Sequence, residues 1–179
     1  MPDNVKYRVL CTRPITDSLI AEAGRHGILI DVQEFIQLKP LLNEALVGTE
    51  NMFRTFRDET VPIVFTSAKA VKVFREHYLY QGDTHYGIHN PVCCINGHTK
   101  ETVKKEMAHH AIIAEASYGK DLAAAIIQLG NVREVNFLCG NQRRDDLPEA
   151  LKAAGIKVNE LVIYENIPVP AITADEYDG

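Results

Sequence analysis

From residue 62 onward the sequence alternates short apolar runs with amphipathic stretches, and that alternation leaves few folds open. The runs are Pro62–Phe65, Val92–Ile95, Ala111–Ala114, Val135–Cys139 and Lys157–Tyr164, the last extending toward Pro168 and Pro170. Helical spacing fills the gaps, from Ala68 to about Tyr78, from Thr99 to about His109, and over Lys120–Leu129 and Asp145–Ala154. Several runs are continuously apolar rather than alternating, as strands are when helices cover both faces of a parallel sheet. The pattern predicts an α/β fold of the doubly wound kind, built from βαβ units. Five parallel strands are expected over residues 36–167.

The front of the chain carries a βαβ start of its own. Tyr7–Cys11 predicts a strand, Thr16–Arg25 a helix closing near Gly24 or Gly27, and Ile28–Leu38 one long strand broken by Pro40. Leu41–Phe56 has helical spacing, with Leu42, Leu46, Phe53 and Phe56 recurring on one side. A single βαβ unit cannot cover both faces of its sheet, so the pattern predicts a two-domain protein present in part.

Composition narrows the function classes. Hydrophobic residues make up 46% and charged residues 24% of the 179, a globular rather than a disordered balance. The net charge of −5 argues against a nucleic-acid surface, although local backbone amides can still bind an acidic substrate. No apolar run approaches the length of a membrane span. The four cysteines (Cys11, Cys93, Cys94, Cys139) lack CxxC spacing and lie in strand-like runs, which predicts buried, reduced thiols in a cytosolic protein.

In an open parallel sheet, ligands bind outside the carboxyl ends of the strands. Four small or polar turns fall there: Thr12-Arg13-Pro14, Thr66-Ser67-Ala68-Lys69, Asn96-Gly97-His98-Thr99 and Gly140-Asn141-Gln142-Arg143. Each opens a helix, where free N–H groups and the helix dipole favour anions. Taken one at a time they need be no more than caps, since Thr66, Ser67 and Thr99 are good cap residues. Four at one sheet edge point to a cleft. None matches a dinucleotide or Walker motif. His85 and His89, with Gly82, Asp83 and Gly87 near them, are read as solvated loop residues rather than metal ligands, and His109-His110 as complementing a helix end. Arg143-Arg144-Asp145-Asp146 is read as a charged turn and the Cys93-Cys94 pair as core, while Ser67 has no sequence-local base. Tyr164 stands out, because a tyrosine where the last strand leaves the domain can donate a proton or hydrogen bond at a cleft.

These segments resemble the uroporphyrinogen-III synthase family. Val9-Leu10-Cys11-Thr12-Arg13-Pro14 is similar to the family's opening strand and turn, and Val64-Phe65-Thr66-Ser67-Ala68-Lys69-Ala70-Val71 to its most recognisable strand-to-helix turn. Ile95-Asn96-Gly97-His98-Thr99 resembles its glycine-then-threonine turn. Phe137 to Arg144, followed by Leu147-Pro148-Glu149-Ala150-Leu151 and Gly155, resembles its fourth turn, and Val162-Ile163-Tyr164 its exit strand. The resemblance implies two flavodoxin-like parallel-sheet domains joined by a two-stranded ladder, the first domain only partly present: residues 1–35 would begin the first domain, 36–167 would form the complete second one, and 168–179 would return toward the first. Ile30–Leu38 and Val162–Pro168 would form that ladder. It further implies cyclisation of hydroxymethylbilane to uroporphyrinogen III with inversion of the last pyrrole ring and loss of water. No cofactor or metal is implied, and the protein is expected to be a cytoplasmic monomer when full length. By resemblance Tyr164 assists loss of hydroxyl, and Arg13, Thr66, Ser67, Ala68, Gly97, His98, Thr99, Gly140, Asn141 and Gln142 hold the substrate's carboxylates. A non-catalytic ligand-binding or regulatory module of the same fold is the alternative. A receiver domain would need acidic strand ends, and a flavin protein a phosphate loop with stacking aromatics; neither pattern is present.

Overall fold

The computed structural model describes residues 5–81, 84–85 and 87–170. By chain contacts these divide into two compact units, one made of the described residues up to Leu38 with those from Asn166 on, the other of Lys39–Glu165.

In the first unit β1 (Tyr7–Cys11) and β2 (Ile28–Val32) pair in parallel, Tyr7 opposite Ile28 and Cys11 opposite Val32. The crossover is α1 (Asp17–Arg25), whose first turn is capped by Thr16 Oγ1 accepting from the Leu19 N–H at 3.4 Å. Asp17 in that turn and Arg25 in the last suit the helix dipole. An ion pair of 2.7 Å between Arg8 and Asp31 ties the two strands together.

The expected single strand over Ile28–Leu38 is two strands, β2 and β3 (Ile36–Pro40). The Gln33 N–H still bonds the Cys11 carbonyl at 2.9 Å, and beyond it the chain leaves β1 and joins a different sheet. An apolar run does not reveal a change of partner within it. The ladder is therefore shorter than expected, with β3 beside β10 (Lys157–Pro168) and residues 30–32 beside β1. Hydrogen bonds from Leu41 N–H to Ile163 O (2.9 Å) and from Val169 N–H to Phe35 O (2.8 Å) show that β3 and β10 run antiparallel.

The helix expected over Leu41–Phe56 forms only at its end, as α2 (Thr49–Phe56). Asn43 explains the delay: its side-chain oxygen accepts from the Ala45 N–H at 3.0 Å and its amide donates to the Val162 carbonyl at 3.1 Å. Such local side-chain bonds compete with helix formation. Leu46, Met52 and Phe56 are buried, whereas Leu42 and Phe53 are exposed, so the expected stripe is wrong at two of its four positions.

The remaining elements follow the alternation. They are β4 (Ile63–Phe65), α3 (Ala68–Phe74) running into a π turn, the small antiparallel pair β5 (Tyr80–Gln81) and β6 (Thr84–His85), and β7 (Val92–Ile95). Then come α4 (His98–Glu106), β8 (Ile112–Ala116), α5 (Gly119–Gln128), β9 (Glu134–Gly140), α6 (Asp146–Ala153) and β10. The sheet order is β3-β10-β9-β4-β7-β8. The five strands from β10 to β8 pair in parallel, as expected, and β3 adds an antiparallel edge. Val64, Phe137 and Cys139 pack into one core cluster with Leu122, Ile126 and Leu151 of α5 and α6. Phe56, Phe65, Phe74 and Tyr78 form a separate chain of aromatic contacts, with centroids 5.4–6.3 Å apart.

Candidate functional site

Strand order locates the cleft. The chain runs from β4 outward through β7 to β8, then returns to the other side of β4 to lay down β9 and β10. The direction of winding therefore reverses between β4 and β9, and a crevice opens at their carboxyl ends, where connections leave toward opposite faces. Thr66 and Ser67 end β4; Gly140 and Asn141 end β9.

Three residues meet there. Tyr164 of β10 is 6% exposed, and its hydroxyl lies 3.4 Å from Ser67 Oγ. That distance is longer than a strong hydroxyl hydrogen bond, so neither oxygen is fully committed to the other. Between them lies Gly140: a Cβ built there would sit 2.5 Å from Tyr164 Cε2 and 2.6 Å from Cζ. Ser67 Oγ also accepts from the Lys69 N–H at 3.1 Å, capping α3.

A groove of about 460 Å³ adjoins this point, lined by Ser67, Ala68, Lys69, Lys72, His98 and Thr99. Gly97, at φ 71°, makes the left-handed turn that starts α4. Lys69 and Lys72 make no ion pair among the described residues, so the groove keeps its positive charge. Two other cations at this edge are committed. Arg143 is held by Glu160 and Asp145, and Lys100 by Glu115 at 2.6 Å. Hollows of similar size lie at the opposite edge of the sheet, one of about 560 Å³ around Arg57, Asp58 and Glu134. Size does not choose between the edges; the strand-end rule does.

The residues expected at the site are thus only partly assembled. Ser67, Ala68, His98 and Thr99 line one groove; Tyr164, Gly140 and Asn141 stand beside it. Thr66 is half-buried and Gln142 exposed on their turns. Arg13 is exposed past the end of β1 in the first unit. Two expectations need correction. Of Thr66, Ser67 and Thr99, only Ser67 caps a helix, because Thr99 lies inside α4 and is buried. The Asn141 N–H, expected to be open to a carboxylate, donates to the Tyr164 carbonyl at 3.0 Å. Lys72, which the sequence reading did not single out, also lines the groove. Gly82 and Asp83, and the return segment from Ile172, lie outside the described residues. Among the described residues no cluster of three or more His, Cys, Asp or Glu is placed to hold a metal. Nor is any helix among them long and apolar enough to cross a membrane.

A doubly wound parallel sheet with a hydroxyl pair at its switch point defines the class. The family model described as uroporphyrinogen-III synthase HemD matches residues 17–176, and the chain belongs to that family. The structure is similar to a mutant uroporphyrinogen III synthase from the extremely thermophilic bacterium Thermus thermophilus, with a TM-score of 0.62 and 14% identity. It is also similar to uroporphyrinogen-III synthetase from Helicobacter pylori, with a TM-score of 0.59 and 16% identity. These alignments cover 92% and 95% of this chain, and 64% and 65% of theirs. The chain thus spans slightly less than two thirds of those proteins, and identities this low show a shared fold alone. No curated protein matches the sequence.

Proposed function

We propose that this chain contributes to a uroporphyrinogen-III synthase, a lyase that cyclises hydroxymethylbilane to uroporphyrinogen III. The observation that carries the reading is the Tyr164 hydroxyl, nearly buried, 3.4 Å from Ser67 at the switch point of the sheet. Family membership supplies the reaction class.

In this reading the substrate's carboxylates lie along the groove, on Lys69, Lys72, His98 and the first-turn N–H groups of α4. Thr66, Ala68, Gly97 and Gln142 shape the turns around them. The Tyr164 O–H then donates to the terminal hydroxyl, which leaves as water and creates an electrophilic azafulvene. The substituted carbon of the last pyrrole attacks, giving a spiro intermediate. Fragmentation, reclosure with that ring inverted and loss of a ring proton complete the macrocycle, with one water released overall. Closure without the enzyme gives the non-inverted isomer, so the cleft's main task is to hold one folded conformer. No residue is assigned to a cofactor. The four free thiols support a reducing compartment, and we place the reaction in the cytoplasm, carried out by a monomer.

The test uses the longest form of the protein its gene encodes, supplied with enzymatically generated hydroxymethylbilane. Predominance of the III isomer over I supports the reading. Tight binding of the bilane with only the I isomer formed would favour a non-catalytic binding module, and neither binding nor isomer control would overturn both.

A further inference from the structure

The Tyr164 hydroxyl reaches Ser67 although a whole strand, β9, lies between the strands that carry them. Register explains how. Phe65 of β4 pairs with Leu138, so Ser67, two residues on, falls beside Gly140. Tyr164 of β10 also pairs with Gly140. The three residues stand at one level, and the tyrosine ring must pass over Gly140 to touch the serine.

Two local features permit this. The register of β10 slips between Val162 and Tyr164, so that Ile163 is an extra residue opposite the end of β9. Such a bulge re-aims the side chain that follows it. The bulged backbone is pinned from both sides, by Leu41 N–H to Ile163 O at 2.9 Å and Asn141 N–H to Tyr164 O at 3.0 Å. The second feature is the missing side chain. An added Cβ at Gly140 has Tyr164 Cε2, Cζ and the hydroxyl oxygen as its three nearest atoms, at 2.5, 2.6 and 2.9 Å. Gly140 is not among the glycines at positive φ, so alanine would meet no backbone strain there. The three nearest atoms a methyl group would meet all belong to Tyr164, so it is the ring that must move.

We propose that Gly140 is a positioning residue, the notch through which Tyr164 crosses the end of β9 to hold its hydroxyl at Ser67. The inference rests on the reading of Tyr164 as the hydroxyl that meets the substrate. Gly140 touches no reacting atom in it; it sets where another group stands.

The experiment compares Gly140→Ala, Tyr164→Phe and the double variant in the full chain labelled with ζ-13C-tyrosine. The Tyr164 resonance is assigned by its loss in Tyr164→Phe. In Gly140→Ala that resonance should move to the position of a solvent-exposed tyrosine while those of the other tyrosines stay in place. The kcat for the III isomer should fall about a hundredfold, by about as much as in Tyr164→Phe, with KM within about twofold. Adding Gly140→Ala to Tyr164→Phe should change kcat by less than about twofold, as expected for residues acting as one unit. An unmoved resonance, or a full second loss of kcat in the double variant, would overturn the proposal. If Tyr164→Phe itself leaves turnover intact, the reading of Tyr164 falls, and the resonance alone still decides Gly140. If Gly140→Ala does not fold, Gly140→Ala/Tyr164→Ala must be as stable as Tyr164→Ala alone, because the atoms in the way are gone; a further loss of stability would also overturn the proposal.

Discussion

The chain contains two versions of one strand–helix–strand unit, β1-α1-β2 and β4-α3-β7, and they differ in what covers them. All three residues of β4 are buried, as are Ala70, Val71, Val73 and Phe74 of α3. In the first version α1 buries no residue, and β1 and β2 are nowhere fully covered. Local pattern and caps are sufficient in both, so the difference lies in layers. β4 has a strand on each side in a wide sheet, whereas among the described residues β1 and β2 pair with each other alone. Pattern makes an element; a core needs a second layer against it. Ser67 stands on the fully layered version and Tyr164 on β10 of the same sheet, where a side chain can be held to a fraction of an ångström.

The largest expected effect separates the two cores directly. Phe137→Ala, at a site 1% exposed, should lower stability by about 3–5 kcal/mol in urea melts. Ile30→Ala, in half-covered β2, should cost about 1 kcal/mol. Equal losses would break the comparison.

Cysteine reactivity sharpens it. Burial pushes the Cys93 thiol up to about 12 and those of Cys94 and Cys139 up to about 11. A rise from the ordinary thiol value of about 8.5 to about 11 lowers the thiolate fraction at neutral pH by about three hundredfold, before access is counted. Cys11, half-buried in β1, should therefore alkylate first in native protein, read by mass spectrometry. The other three should label only on unfolding. Early labelling of Cys93 would contradict the buried core.

The smallest effect is the response to acid. Burial pushes the Glu160 carboxyl up, but hydrogen bonds from Lys152 and Arg143, with their charges, outweigh it and hold the group below its ordinary value. Hydrogen bonds from Lys157 and Asn159 lower Glu134 likewise. Both acids favour the folded state above the usual glutamate value of about 4.3. As pH falls below it the unfolded chain binds protons first, and the stabilisation is lost through the lower folded values. Thermal midpoints should thus decline below about pH 4.5, and Glu160→Gln should flatten that decline. An unchanged acid profile in that variant would remove the Glu160 ion pairs from the account.

Much of the second unit was legible in the sequence because each strand is a short apolar run ended by a turn. The five parallel strands and the turns at their carboxyl ends follow from that. What was hidden depends on partners distant in sequence. Gln33 bonds back to Cys11, which no inspection of Ile28–Leu38 reveals. Asn43 delays α2 through a bond to Val162, far along the chain. Tyr164 was legible as a hydrogen-bond donor at a strand exit, but its route over Gly140 was not, because a bulge and a missing Cβ leave no periodic trace. Arg143 illustrates the converse: it lies in a promising turn, yet Glu160, on a strand laid down later, takes its charge.

In the proposed reaction the Tyr164 hydroxyl, at the switch point of the six-stranded sheet, takes part in the chemistry. Tyr164→Phe tests it most directly, since the ring still fills its place and only the O–H is lost. Turnover of hydroxymethylbilane to the III isomer should fall by about a hundredfold in kcat, with KM and the thermal midpoint nearly unchanged. Wild-type turnover in Tyr164→Phe would contradict the account and return that tyrosine to packing.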